Sequence, residues 1–215
     1  ACLSGVAMSE QSGDDGPLHA AALQASMEWA TQALKDGASL NERNTIGYTP
    51  LHRVAEDGIA EVAELFLKHG ADTEARDYNE ATPLLLAAGG GHVEVLETLV
   101  RHGAKLTALD EFGLGCLHYA AESGHTAAAK WLLAHGANPD HEEESGKTAG
   151  QLAHAWGFKE TAEVLNAASL APSYHFDESK SAEALPGDLP KGATPLFPAA
   201  VEAAAKASEA TEATE

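Results

Sequence analysis

The sequence is poor in basic and aromatic residues, and both shortages limit what the chain can bind. Its 215 residues include 13 Lys and Arg against 33 Asp and Glu, which gives a formal net charge of −20. Such a charge repels phosphate backbones and anionic lipid headgroups, so nucleic acid is not predicted as a partner and a basic protein segment is favoured. Aromatic residues make up only 6% of the chain, which favours small helices packed on Ala and Leu over a sheet sandwich.

Long hydrophobic runs and closely spaced cysteines are also lacking. No run approaches the roughly 20 apolar residues that a bilayer-spanning helix needs, so direct membrane insertion is not predicted. Cys2 and Cys116 are the only cysteines, and this pair does not indicate a disulfide framework. We therefore expect an intracellular, reducing compartment. Because the chain begins with Ala1, we expect processing or trimming, and the location is either the cytoplasm or an organelle (chloroplast or mitochondrion) reached by a removed transit peptide.

The chain does contain three landmarks that each recur every 33 residues. The tetrapeptide TPLH at 49–52 returns as TPLL at 82–85 and, less completely, in the two following units. The other two landmarks are a Gly-Ala pair, beginning at Gly37, Gly70, Gly103 and Gly136, and a single glycine at Gly58, Gly91, Gly124 and Gly157. Three independent landmarks in one register indicate an internal repeat.

Each unit is predicted to form two short helices. Thr is a good N-cap, Pro is tolerated at the first helical position, and a glycine ends the first helix. The second helix carries one apolar position that repeats as Phe66, Leu99, Leu132 and Leu165, and it ends at the Gly of Gly-Ala. Both helices are shorter than the roughly 12–15 residues that an isolated helix needs, so neighbouring units must stack into a solenoid.

A 33-residue period with the TPLH motif resembles the ankyrin-repeat family. The resemblance implies an all-α solenoid of helix pairs joined by β-turn or hairpin loops. The repeats number about five and fall near residues 16–43, 44–76, 77–109, 110–142 and 143–168. The first unit departs from the pattern because Ala25 replaces the turn glycine. Residues 1–15 are predicted to be flexible, and the acidic, Pro- and Ala-rich residues 169–215 to form a mostly disordered tail.

No catalytic, cofactor or metal site is predicted, and the chain is not expected to be an enzyme. Equivalent histidines in stacked repeats lie about 8–10 Å apart, whereas zinc ligands lie about 2 Å from the ion. The resemblance assigns hydrogen bonds between neighbouring loops to the TPLH-position histidines His19, His52 and His118. Cys116 is expected to be a small buried residue. The run 89–91 of three glycines is expected to leave a gap on the binding face.

In ankyrin proteins the partner lies against the concave side, where it touches the turn tips and the ends of the first helices. Carried over residue by residue, the resemblance predicts a protein-binding set of Tyr48, Glu56, Asp57, Tyr78, Glu111, Phe112, Tyr119, Glu122 and Trp156. Aromatic anchors with an acidic rim suit a basic or partly apolar protein segment. The competing interpretation is that the tip aromatics pack on neighbouring tips and bind nothing.

The predicted function is that of an adaptor, scaffold or assembly chaperone whose solenoid is monomeric on its own. Two alternatives stay open at this stage. One is an integral structural subunit of a large complex, and the other is a stoichiometric regulator of an enzyme. Fold-level resemblance does not identify the partner, because ankyrin folds host many unrelated interactions.

Overall fold

The structure, a computed structural model, describes residues 16–170. Within this range it contains ten helices in five pairs, which we number as units one to five. The pairs are α1 (Pro17–Leu23) with α2 (Met27–Lys35), α3 (Pro50–Asp57) with α4 (Ala60–Lys68), α5 (Pro83–Gly90) with α6 (Val93–Arg101), α7 (Cys116–Glu122) with α8 (Thr126–Ala134), and α9 (Ala149–Ala155) with α10 (Lys159–Ser169). The predicted flexible segment 1–15 and all but the first two residues of the predicted tail lie outside the described residues.

Helix boundaries follow the repeated landmarks. Thr49 and Thr82 stand at the N-cap positions of α3 and α5, and a proline opens each helix. Gly58 and Gly91 end the same two helices with φ values of 76° and 73°, which is left-handed backbone that glycine adopts without steric cost. The predicted helix starts and stops in these units are confirmed.

Two residues other than glycine adopt this left-handed conformation. Ala25 has φ of 48° at the position where later units have the turn glycine. Glu80 has φ of 61° in the tip of unit three, where the tips of units two, four and five contain glycine. Both residues therefore carry backbone strain that their counterparts avoid.

The core runs continuously through the stack. The predicted apolar position of the second helices is confirmed, since all four of its side chains (Phe66, Leu99, Leu132 and Leu165) are buried. Cys116, at the start of α7, is also buried as predicted, and burial raises the pKa of its thiol to about 12. A thiol with such a pKa stays protonated near neutral pH and behaves as a small apolar group.

Neighbouring first helices share more extensive contacts than neighbouring second helices do. The stack therefore curves toward the first helices, which lie on its concave side together with the loop tips that precede them. No helix within residues 16–170 has the length and apolar character that crossing a bilayer requires.

Histidines join neighbouring units as the resemblance implied. The Nε2 atom of His19 donates to the Tyr48 carbonyl at 2.8 Å, and that of His52 donates to the Ala81 carbonyl at 3.1 Å. His118 makes the equivalent bond to the Lys147 carbonyl at 3.3 Å. Unit three has Leu85 at this position, so the junction between units three and four lacks the histidine bond.

Two of the three histidines that end second helices bond within their own helix, whereas the third, His102, bonds to Glu64 of the preceding unit at 3.1 Å. His69 and His135 donate to carbonyls of their own helices, those of Leu65 at 2.9 Å and Trp131 at 2.7 Å. In the part of the chain that the structure describes, no three His, Cys, Asp or Glu side chains come together as a metal site would require.

Candidate protein-binding face

The loop tips on the concave side are held by the side chain that opens each unit. Asp110 Oδ1 accepts hydrogen bonds from the backbone N–H groups of Phe112 at 3.0 Å and Leu114 at 2.8 Å. Asn44 and Asp77 make the same pair of bonds in units two and three. Since these bonds fix the tip backbone, the tip side chains are presented in defined positions instead of sampling many loop conformations.

Three of the nine predicted residues are aromatic side chains that remain largely in solvent. Tyr78 and Trp156 are each 64% exposed, and Phe112 is 53% exposed. The ring of Tyr78 lies against Gly47 of the preceding tip. Because all three lie at tip or helix-end positions of the concave side, they mark a candidate contact area there.

Tyr48 has a different environment, because it is half-buried and makes internal contacts. Its ring stacks on that of His52 with centroids 5.5 Å apart, and its hydroxyl donates to Glu56 Oε1 at 3.5 Å. Burial, reinforced by the nearby carboxylates of Glu56 and Asp77, raises the pKa of Tyr48 to about 12. In unit two, the Tyr48 side chain is therefore held by contacts within its own unit.

Tyr119 is also half-buried and closes the junction between units three and four. Its hydroxyl donates to Asp110 Oδ2 at 3.0 Å, and its ring covers Gly89, where an added Cβ would lie 3.2 Å from the Tyr119 Cδ1 atom. Burial and the charge of Asp110 raise the pKa of Tyr119. The expected gap at Gly89 is therefore wrong, because the ring fills that space.

The predicted acidic residues of unit two already have a cation partner. Arg53 lies 3.3 Å from Glu56 through Nη1 and 2.9 Å from Asp57 through Nε. Both pairs form within α3, at spacings of three and four residues. Their carboxylates therefore contribute less net field toward a partner than their number suggests.

An open groove of about 550 Å³ lies between units four and five on the concave side. Its lining combines apolar and charged side chains: Phe112, Leu114, Glu122, Glu143, Glu144, Ser145, Lys147, Leu152, Ala155 and Trp156. The groove brings together Phe112, Glu122 and Trp156 of the predicted set. Tyr78 and Glu111 are exposed but do not line it.

The groove carries a negative charge that is not neutralised by an ion pair. Partial burial raises the pKa of Glu122, and the nearby charges of Asp110 and Glu143 raise it further. Within residues 16–170 no Lys or Arg forms an ion pair with Glu122. Among the lining side chains Lys147 is the one cation, and it lies near Glu143, whose pKa is lowered chiefly by hydrogen bonds from Ser145.

Seven lining residues are not in the predicted binding set, and two of them, Glu143 and Leu152, occupy positions that set the charge and shape of the groove. A signal for both was present in the repeat register. Glu143 aligns with Asp110 at the opening position of its unit, and Leu152 aligns with Tyr119. Comparing equivalent positions across the junctions, rather than reading tips alone, would have placed both beside the groove.

The sequence matches the family profile described as ankyrin repeats (3 copies) over residues 18–110 and again over residues 105–171. The match covers well over half of the chain, which therefore belongs to the ankyrin-repeat family. Ankyrin repeats serve in general as protein–protein interaction modules. A search among curated proteins found no match.

Proposed function

We propose that this protein binds a basic, partly apolar segment of another protein along its concave face, as an adaptor or scaffold. The observation that carries the proposal is the exposure of Tyr78, Phe112 and Trp156 on the tips and helix ends of that face. Aromatic side chains bury a large area at low cost in conformational entropy, and they dominate the binding energy of many interfaces.

The charge of the chain supports a basic partner. The net charge is −20, and the carboxylates of Glu111 and Glu122 lie on the same face as the aromatic side chains. A negative rim increases the rate of association with a positive segment and disfavours acidic competitors. The proposed interaction involves no covalent step.

The proposal is tested by selecting peptides from a random display library on the immobilised full-length chain. We expect the selected peptides to combine Arg or Lys with Leu, Phe or Trp. The triple substitution Tyr78→Ala, Phe112→Ala and Trp156→Ala should weaken their binding at least about tenfold, since each aromatic anchor typically contributes 1 kcal/mol or more.

Trp29→Ala is the matched control, because Trp29 is 48% exposed but belongs to α2, outside the tip and helix-end positions. Circular dichroism should show the same helix content in both variants. Peptides that bind the triple variant as tightly as the unmodified chain would show that the concave face is not the binding surface.

A further inference from the structure

We infer that the groove between units four and five binds an arginine side chain of the partner, with the guanidinium group beside Glu122 and Trp156. This inference rests on the proposed function, because it names the residue type that the face recognises. The shape of the groove, its charge and its mixed lining each favour this side chain.

The shape of the groove follows from which side chain occupies each junction. Tyr119 fills the junction between units three and four by lying over Gly89. At the next junction the equivalent residues are Leu152 and Glu122, so a leucine replaces the tyrosine ring that closes the first junction. The site is therefore open at one junction, where a partner side chain has room to enter.

The charge of the groove favours a cation. Burial, Asp110 and Glu143 all raise the pKa of Glu122, so its carboxylate is destabilised by neighbours of the same sign. A positive group placed beside Glu122 would relieve that repulsion. Asp110 itself is already engaged, because it accepts bonds from its own tip and from Tyr119. Glu143, in turn, accepts hydrogen bonds from Ser145. Among the lining carboxylates this leaves Glu122 and Glu144 to pair with a partner, and Glu122 is the one destabilised by Asp110 and Glu143.

The mixed lining favours arginine over lysine. A guanidinium group is planar, stacks on aromatic rings and donates two parallel hydrogen bonds to a carboxylate. Trp156 and Glu122 both line the groove and supply these two functions. Phe112, Leu114 and Leu152 provide apolar surface for the aliphatic stem of the same side chain.

The test uses the full-length chain and three synthetic probes, acetyl-Leu-X-Leu-amide with X as arginine, lysine or citrulline. Citrulline retains the shape of arginine without its charge. We expect the arginine probe to bind about tenfold more tightly than the citrulline probe, and to shift the Trp156 indole resonance in a ¹⁵N spectrum. Glu122→Gln should weaken the arginine probe about three- to fivefold and leave the citrulline probe unchanged.

Glu111→Gln is the control, since Glu111 is exposed on the same face but does not line the groove. The lysine probe should bind more weakly than the arginine probe. Equal affinity of the arginine probe with either the lysine or the citrulline probe, or equal effects of the two Glu→Gln substitutions, would overturn the inference. If selected peptides depend on the three aromatics but show no arginine preference, the proposed function stands and the inference fails. If no peptide binds the face at all, both fail.

Discussion

The junction between units three and four is closed by a side chain, whereas the junction between units four and five is open. Residues at the two junctions are related by the same 33-residue shift, so Gly89, Tyr119 and Asp110 of the first correspond to Glu122, Leu152 and Glu143 of the second. At the first junction, the Tyr119 ring lies over Gly89 and its hydroxyl bonds to Asp110. At the second junction, the shorter leucine leaves a groove of about 550 Å³.

This difference shows how a repeated backbone acquires one specific site. The helices and tips provide equivalent positions in every unit, and the identity of a small number of side chains decides whether a junction is closed or open. The histidine hydrogen bonds are distributed over the two junctions in the opposite way to the tyrosine ring. They are present at the open junction through His118 and missing at the closed one, where Leu85 replaces the histidine.

The largest expected change in the free energy of unfolding comes from substituting His118, which links units four and five. His118 is buried, accepts from the Gly115 N–H at 3.3 Å and donates to the Lys147 carbonyl at 3.3 Å. His118→Ala should lower the free energy of unfolding by about 2–3 kcal/mol, because it leaves a cavity and two unpaired backbone groups. Urea unfolding monitored by circular dichroism measures this change.

His118→Leu is the control, because it copies the natural residue of unit three. It restores apolar packing but not the hydrogen bonds, so it should recover about half of the loss. A loss below about 0.5 kcal/mol for His118→Ala would show that the histidine does not hold the two units together.

The second prediction closes the groove by copying the other junction. Leu152→Tyr places an aromatic side chain where Tyr119 stands in unit four. It should weaken the arginine probe at least about tenfold, equivalent to about 1.4 kcal/mol, by occupying the groove. Calorimetric titration measures the affinity. Leu152→Met, which keeps the volume nearly constant, should leave binding within about twofold. Unchanged binding by Leu152→Tyr would show that the probe docks elsewhere.

The third prediction is that junctions with a buried histidine lose stability at low pH, whereas the junction with Leu85 does not. Burial lowers the pKa of His52 and His118 below the ordinary value, because the charged ring is poorly solvated. Their contribution to stability is complete above about pH 6.5 and is lost as the pH falls toward the folded-state pKa values. Each histidine adds a slope of at most about 1.4 kcal/mol per pH unit, whereas Leu85 adds none.

Urea midpoints measured between about pH 7.5 and pH 5.5 test this expectation. His118→Leu should show a shallower decline than the unmodified chain. The raised pKa of Glu122 acts in the opposite direction, because protonation relieves its repulsion with Asp110 and Glu143. Glu122→Gln removes that opposing effect and should make the decline steeper. A midpoint that rises on acidification in both variants would contradict the buried neutral state of the histidines.

The sequence was sufficient to predict features that repeat, and insufficient for features set by contacts between unlike side chains. The register located the helices and the left-handed glycines, because each depends on one position in each unit, and the resemblance to ankyrin repeats supplied the histidine bonds. It did not predict that Tyr48 and Tyr119 are half-buried, since their orientation depends on His52 and on the missing side chain at Gly89. Predicting the groove would have required pairing Leu152 of unit five with Glu122 of unit four.

The smallest expected effect compares the strained tip of unit three with the tips beside the groove. Glu80 has φ of 61°, whereas Gly113 and Gly146 adopt the same region as glycines. Glu80→Gly should raise the free energy of unfolding by about 0.5–1 kcal/mol. Loss of the pair between Glu80 and Arg76, 3.5 Å apart and exposed, offsets little of this gain. Ala25→Gly relieves similar strain in unit one without removing a charge, so it is the matched measurement. If Ala25→Gly stabilises the chain and Glu80→Gly does not, the Glu80 side chain contributes more to its tip than one exposed ion pair explains.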